Sequence, residues 1–189
     1  TIGEGAPNAS RAERSANNLF YSQSVEARAT IPAWWPRAGA GTVPRLSICG
    51  PNHWDRQELE SFVQQGFQRK HGASVRTFMP VLLALRDATG ELVGVAGYRP
   101  AGTARLYLEQ YLPDPIEAVI ATREPQGRVR REEVAEIGNF ACRDCAAAAT
   151  LADILAEFLT SRGLQWAVFT ATRTVRGIMR RRGIQLAEL

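Results

Sequence analysis

One stretch constrains the fold more than any other: Arg131 to Leu159, REEVAEIGNFACRDCAAAATLADILAEFL, in which a strand runs directly into a helix. Val134, Ile137 and Phe140 are strand formers, and their mixed spacing suits a strand buried on both faces. From Leu151 the apolar residues switch to helical spacing, through Ile154, Leu155, Phe158 and Leu159. Asp144 is expected to cap the helix N-terminus, and Gly163 follows its last turn, where a left-handed residue is favoured. The joint between them, ACRDCAAAA, has short side chains that let a ligand approach the backbone. A helix N-terminus behind a strand presents free amides and a positive dipole end, which suits an anion. Close packing of the helix on a sheet would select the same small residues.

The chain has 189 residues, enough for one domain with a sizeable core plus an arm. Residues 1–42 are rich in Ala, Gly, Ser, Asn and Pro without sustained periodicity and read as an N-terminal arm. Phe20, Tyr21, Trp34 and Trp35 are its expected anchors, against its own domain or across a homodimer. Residues 43–189 read as the folded domain. No apolar run approaches the roughly 18 residues needed to cross a bilayer, so no membrane partner is expected. The start, TIGEGAPNAS, has neither a basic nor an apolar leader region, and a cytoplasmic setting is the expectation. All but one of the 23 basic residues are arginine, Lys70 being the exception. A guanidinium suits phosphate, although a net charge of +4 is too small to imply nucleic acid by itself. Cys142 and Cys145 form a lone C-x-x-C, Cys49 is distant, and only His53 and His71 could join them; no metal is expected.

In chain order, Arg45–Cys49 reads as a strand broken by Gly50-Pro51-Asn52. A helix follows, with Asp55 as N-cap, Glu58 completing a capping box, Trp54 stapling onto Leu59, and Gly72 as its stop. Its buried face is Leu59, Phe62, Val63 and Phe67. Phe78–Arg86 and Glu91–Arg99 read as a hairpin around Asp87-Ala88-Thr89-Gly90, with Gly94 and Gly97 marking a bulge or a ligand's close approach. Arg105–Leu112 alternates like a strand, with Tyr107, Glu109 and Tyr111 on one face. Asp114-Pro115-Ile116-Glu117 opens a short helix, Asp114 being its expected cap. Gln165–Ala171 is a buried strand, Thr174–Arg182 a helix and Ile184–Leu189 a short final strand.

This order resembles the N-acyltransferase fold shared by GNAT enzymes and acyl-homoserine-lactone synthases. FMPVLLAL (78–85), GYRPA (97–101), LYLEQYLPDPIE (106–117), EIGNFA (136–141) and WAVFTAT (166–172) resemble the thermostable hemolysin family. The resemblance spans roughly residues 65–189. It implies an α/β domain of GNAT-like N-acyltransferase fold, with a mixed, mostly antiparallel sheet flanked by helices, and acyl transfer to an amine. It further implies a donor arm along Ile137, Gly138, Asn139, Phe140 and Ala141. The donor's phosphates would meet the loop from Arg143 through Ala146 to Ala148. Ala146 stands where the GNAT loop has its first glycine, and Asp144 places a carboxylate where a diphosphate would sit, a repulsion of like charges. The expected donor is therefore a carrier-protein phosphopantetheine thioester or an aminoacyl-tRNA, used as co-substrate, with no tightly bound cofactor.

Such chemistry needs a base for the acceptor amine, a small molecule, and Glu109 and Glu136 are the candidates. Tyr98, Arg99 and Tyr111 are candidates to hold the acceptor or protonate the leaving group. Arg173, Arg176 and Arg180 recur at helical spacing and would face a macromolecular donor. Two other classes stay open: a nucleic-acid-binding module using Arg128, Arg130, Arg131 and the C-terminal arginines, and a membrane-active hemolysin.

Overall fold

The computed structural model describes residues 17–22, 45–123, 127–181, 183 and 186–188. Seven strands form one sheet: β1 (Asn17–Ser22), β2 (Arg45–Cys49), β3 (Val81–Arg86), β4 (Leu92–Pro100), β5 (Val134–Cys142), β6 (Trp166–Ala171) and β7 (Leu186–Glu188). Their order is β2-β3-β4-β5-β6-β1-β7, antiparallel throughout except for the β5–β6 pair, which is parallel. This is the mixed, mostly antiparallel sheet that the family resemblance implies. Among the described residues four α-helices flank it: α1 (Arg56–His71), α2 (Ile116–Ala121), α3 (Cys145–Ser161) and α4 (Arg173–Arg181).

Alternation along the strands assigns the two faces. Leu82, Ala84, Val95 and Ala141 pack on Leu59 and Val63 of α1, while Val134, Trp166 and Val168 pack on Ile116 and Ile120 of α2. Leu83, Leu85, Tyr98, Ile137 and Phe169 point to the other face, under Leu151, Leu155 and Leu159 of α3. The α1 and α3 stripes lie where the periodicity put them, with Gly72 (φ 62°) ending α1 and Gly163 (φ 75°) following α3.

Four local expectations fail. Arg105–Leu112 is not a strand; Leu108–Tyr111 is a 3₁₀ turn, and Leu106 and Leu108 are buried by insertion into the α2-side core rather than by sheet pairing. Asp114 does not cap α2: Pro115 holds the cap position, and the Glu109 carboxylate accepts from Ile116 N–H at 3.1 Å. Asp55 sits at the α1 N-cap without a side-chain capping bond, and Glu58 pairs with Arg86 instead of closing a box. Trp54 is 84% exposed and stacks on His53, not Leu59. Within the arm, Asn17–Ser22 forms β1 between β6 and β7, a role that residues without periodicity did not signal. Trp34 and Trp35 lie outside the described residues.

Candidate functional site

The site is an opening in the sheet. The parallel pairing of β5 with β6 runs from Val134↔Trp166 to Ile137↔Phe169 and stops there, although β5 continues to Cys142. From Gly138 onward β5 is paired only by β4. Gly138, Asn139 and Phe140 are half-buried in an otherwise buried strand. A bulge lies at this point: Gly97 pairs with Gly138 and Val95 with Ala141, so two residues of β5, Asn139 and Phe140, oppose the single Ala96. Asn139 takes the left-handed conformation (φ 51°), which asparagine tolerates better than other non-glycine residues. Its side chain earns the position: Oδ1 accepts from Met79 N–H at 2.7 Å and Nδ2 donates to the Thr77 carbonyl at 3.2 Å. Arg56 donates to the Met79 carbonyl at 2.8 Å, so Met79 is fixed from both sides. Its side chain lies over Gly97 and Gly138, where an added Cβ would come within 2.6 Å of it. The glycines of β4 are therefore explained by Met79 at Gly97, and by Cys142 and Leu151 at Gly94, rather than by a ligand. Nothing in the sequence near Gly97 points to Met79.

The carboxylates divide by environment. Glu109 accepts from Leu106 N–H (2.9 Å), Ile116 N–H and both terminal nitrogens of Arg131 (2.6 and 3.0 Å). The Arg131 guanidinium, aided by those amides against the opposing effect of burial, lowers its pKa to about 2. A carboxylate so held is a poor proton acceptor, and Glu109 is corrected from candidate base to buttress. Arg131, read from the sequence as part of a basic loop, also binds Glu117 (2.8 Å) and the carbonyls of Ala101 and Ala104. Arg130 is paired with Glu133 at 2.6 Å, so two arginines of the first cluster are engaged within the fold. Glu136 lies on β5, 3% exposed, and accepts from Tyr107 N–H and Leu108 N–H at 2.8 Å each. Burial outweighs these two bonds and raises its pKa.

Tyr98 and Arg99 do not share a pocket, because neighbours on a strand point to opposite faces. Tyr98 is 5% exposed and packs edge-to-face on Phe158 of α3. Arg99 lies opposite Glu136 in the β4–β5 register and donates to the Arg105 carbonyl at 3.3 Å. Tyr111 is exposed, its hydroxyl 3.3 Å from that of Tyr107; the two rings meet across the turn, while Glu109 between them points inward. Among the proposed donor contacts, Ile137 and Ala141 are buried in the two cores, and Ala148 is buried on the sheet-facing side of α3, whereas Ala146 is exposed.

At the joint, Asp144 caps α3 as expected, accepting from Ala147 N–H at 2.8 Å. Arg143 is held among Asp87 (3.5 Å), Glu91 (3.2 Å) and Asp144 (3.4 Å). The sole lysine, Lys70 at the end of α1, donates to the Cys142 carbonyl at 2.7 Å, a contact across 72 residues that no local pattern foretells. Burial pushes the Cys142 thiol up to about 12, which keeps it protonated and unsuited to nucleophilic attack. Because β5 and β6 are parallel, both run toward the opening, and α4 begins just beyond β6 at that same end. Arg173 and Arg180 are exposed there and Arg176 is half-buried. Among the described residues no helix is long and apolar enough to cross a membrane.

Two crystal structures of TofI, one in an apo form and one in a ternary complex with an inhibitor and MTA, share this fold. Each is 18% identical over 72% of this chain; the TM-scores are 0.53 and 0.51, and the matches cover 76% and 77% of the TofI chain. The likeness establishes the GNAT-like fold. No curated protein matches the chain. The family described as thermostable hemolysin matches residues 49–189, which include the four helices and strands β3 to β7, and the chain belongs to that family.

Proposed function

We propose that the protein is an amide-forming N-acyltransferase. It would move an acyl or aminoacyl group from a carrier-bound donor, a phosphopantetheine thioester or an aminoacyl-tRNA, to a small-molecule amine. The observation that carries this reading is the parting of β5 from β6 beyond Ile137, with the Asn139 bulge beside it. A strand edge inside a sheet is a template for an extended ligand bearing amides, as a pantetheine arm does. The GNAT-like fold that the chain shares with TofI supports this reading.

In this reading the amine attacks the carbonyl carbon of the donor; the C–N bond forms as the C–S or C–O bond breaks. An N–H of the unpaired β5 segment stabilises the oxyanion. Glu136, whose buried carboxylate holds a proton more tightly than a free one, receives the amine's proton through one water. Arg99 and Tyr111 lie on the Glu136 side of the sheet and serve the acceptor and the leaving group. The donor is one without a diphosphate at the α3 N-terminus, since Asp144 already occupies that amide site and Arg143 is neutralised by three carboxylates. Arg173, Arg176 and Arg180 contact the macromolecular donor.

Mass spectrometry of reactions with a panel of amines and donors tests this. Acylated product is expected from carrier-bound or tRNA-bound donors, and Glu136→Gln should lower turnover by roughly 10²–10⁴-fold with little change in donor binding. Failure with every carrier-bound donor, or efficient turnover with free acyl-coenzyme A at high salt, would contradict the proposal.

A further inference from the structure

The fold brings together three side chains that the sequence did not mark as a set. Cys49 ends β2, His53 lies in the following turn, and Asp55 opens α1. The Cys49 sulfur lies 3.0 Å from Nδ1 of His53, and one ligand atom from each of the three residues falls within 4.8 Å of the others. Cys49 is fully buried and Asp55 is 8% exposed. The Asp55 carboxylate is in an unusual state for a helix N-cap: it makes no capping bond, and no hydrogen bond to it is found among the described residues. Its nearest cation is Arg86 at 3.8 Å, beyond hydrogen-bonding distance. A carboxylate oxygen set this close to a thiol sulfur and an imidazole nitrogen is placed to share an ion with them.

We propose that Cys49, His53 and Asp55 form a binding site for a divalent transition-metal ion of the zinc type. A sulfur, an imidazole nitrogen and a carboxylate oxygen are the donors that zinc and cobalt accept, and three protein ligands leave one position of a tetrahedron for water. Nδ1 faces the Cys49 sulfur at 3.0 Å, and an entering ion takes the lone pair that otherwise accepts from the Asp55 N–H at 3.2 Å. Trp54 stacks on the imidazole (centroids 5.3 Å apart) and orients the ring, while Arg86, itself paired with Glu58, stands behind Asp55. Binding balances simply: the ion enters, the Cys49 thiol releases one proton to solvent, and nothing is oxidised or reduced. The bound ion would tie the edge strand β2 to the start of α1. It stands apart from the opening between β5 and β6 and does not depend on the acyl-transfer reading.

Cobalt titration tests the site on the full chain carrying Cys145→Ser, which removes the exposed competing thiol. After chelator treatment, Co²⁺ should bind one equivalent, with a Kd tighter than about 10 µM, a sulfur-to-cobalt charge-transfer band and visible bands of four-coordinate cobalt. Zn²⁺ should displace it. Cys49→Ser should abolish the charge-transfer band. Because Cys49 is fully buried, the decisive variant is His53→Ala at the half-buried position, expected to weaken binding by about 100-fold or more while leaving the circular dichroism unchanged. Binding of Co²⁺ to His53→Ala with unaltered affinity, a charge-transfer band that survives Cys49→Ser, or no stoichiometric binding by the parent would each overturn the proposal.

Discussion

Two glutamates within a few residues of each other in space illustrate how environment assigns roles. Glu109 and Glu136 both hold backbone amides of the segment 106–116, yet Glu109 also accepts hydrogen bonds from a guanidinium, whereas Arg99 acts on Glu136 only through its charge. Arg131 lowers the Glu109 pKa to about 2, whereas burial raises that of Glu136. The linkage signs are opposite. A lowered carboxylate pKa contributes stability above its unfolded value of 4.5, lost as pH falls through about 2. A raised one favours the fold below the unfolded value and loses that contribution as pH rises through the folded pKa. Glu109→Gln should therefore destabilise the protein by about 3 kcal/mol at neutral pH, since it leaves Arg131 half-paired in a partly buried site. Urea titrations should show this difference shrinking as pH falls from 4.5 toward about 2. A difference constant across that range would mean that the Glu109–Arg131 pair is not what holds the turn. The chemistry-bearing pattern LEQYL was legible in the sequence, but its function was not: whether a carboxylate is base or buttress depends on Arg131, distant in sequence.

At the scale of elements, what could be read was set by periodicity. The stripes of α1 and α3 face one core each and the run of β5 is buried on both faces, so pattern and position agree. Arg105–Leu112 failed because two buried leucines two residues apart fit a strand and a short turn equally well. β1 was illegible because a strand inserted beside β6 needs backbone partners more than pattern. The parting of β5 from β6 has no sequence signature of its own; it depends on where β6 stops pairing. Met79 offers a separable test of the local packing. A Cβ at Gly97 would meet the Met79 Cβ at 2.6 Å, whereas one at Gly138 would meet the mobile Cε at the same distance. Each alanine substitution should lower stability by about 1–3 kcal/mol. Met79→Ala should rescue Gly138→Ala, because it removes Cε, but should not rescue Gly97→Ala, because alanine keeps its Cβ. Thermal unfolding of the three single variants and the two doubles reads this directly, and equal rescue of both glycine variants would refute the placement of Met79.

Across the whole molecule, one end of the sheet gathers what a donor would need: the unpaired segment of β5, the joint into α3, and the arginine-bearing start of α4. The other features serve to build that end. Asn139 and Arg56 fix the loop over the bulge, and Glu136, Glu109 and Arg131 fix the turn that bears Tyr107 and Tyr111. Acyl transfer to an amine rests on the claim that the donor arm completes the sheet in the gap beside β5. Hydrogen exchange of backbone amides, with and without a non-transferable pantetheine thioester analogue, measures that most directly. Slowed exchange is expected in the segment Gly138–Ala141 and at the start of α3, with the β2–β3 edge unchanged. Protection that falls elsewhere, or none in β5 at saturating analogue, would contradict it.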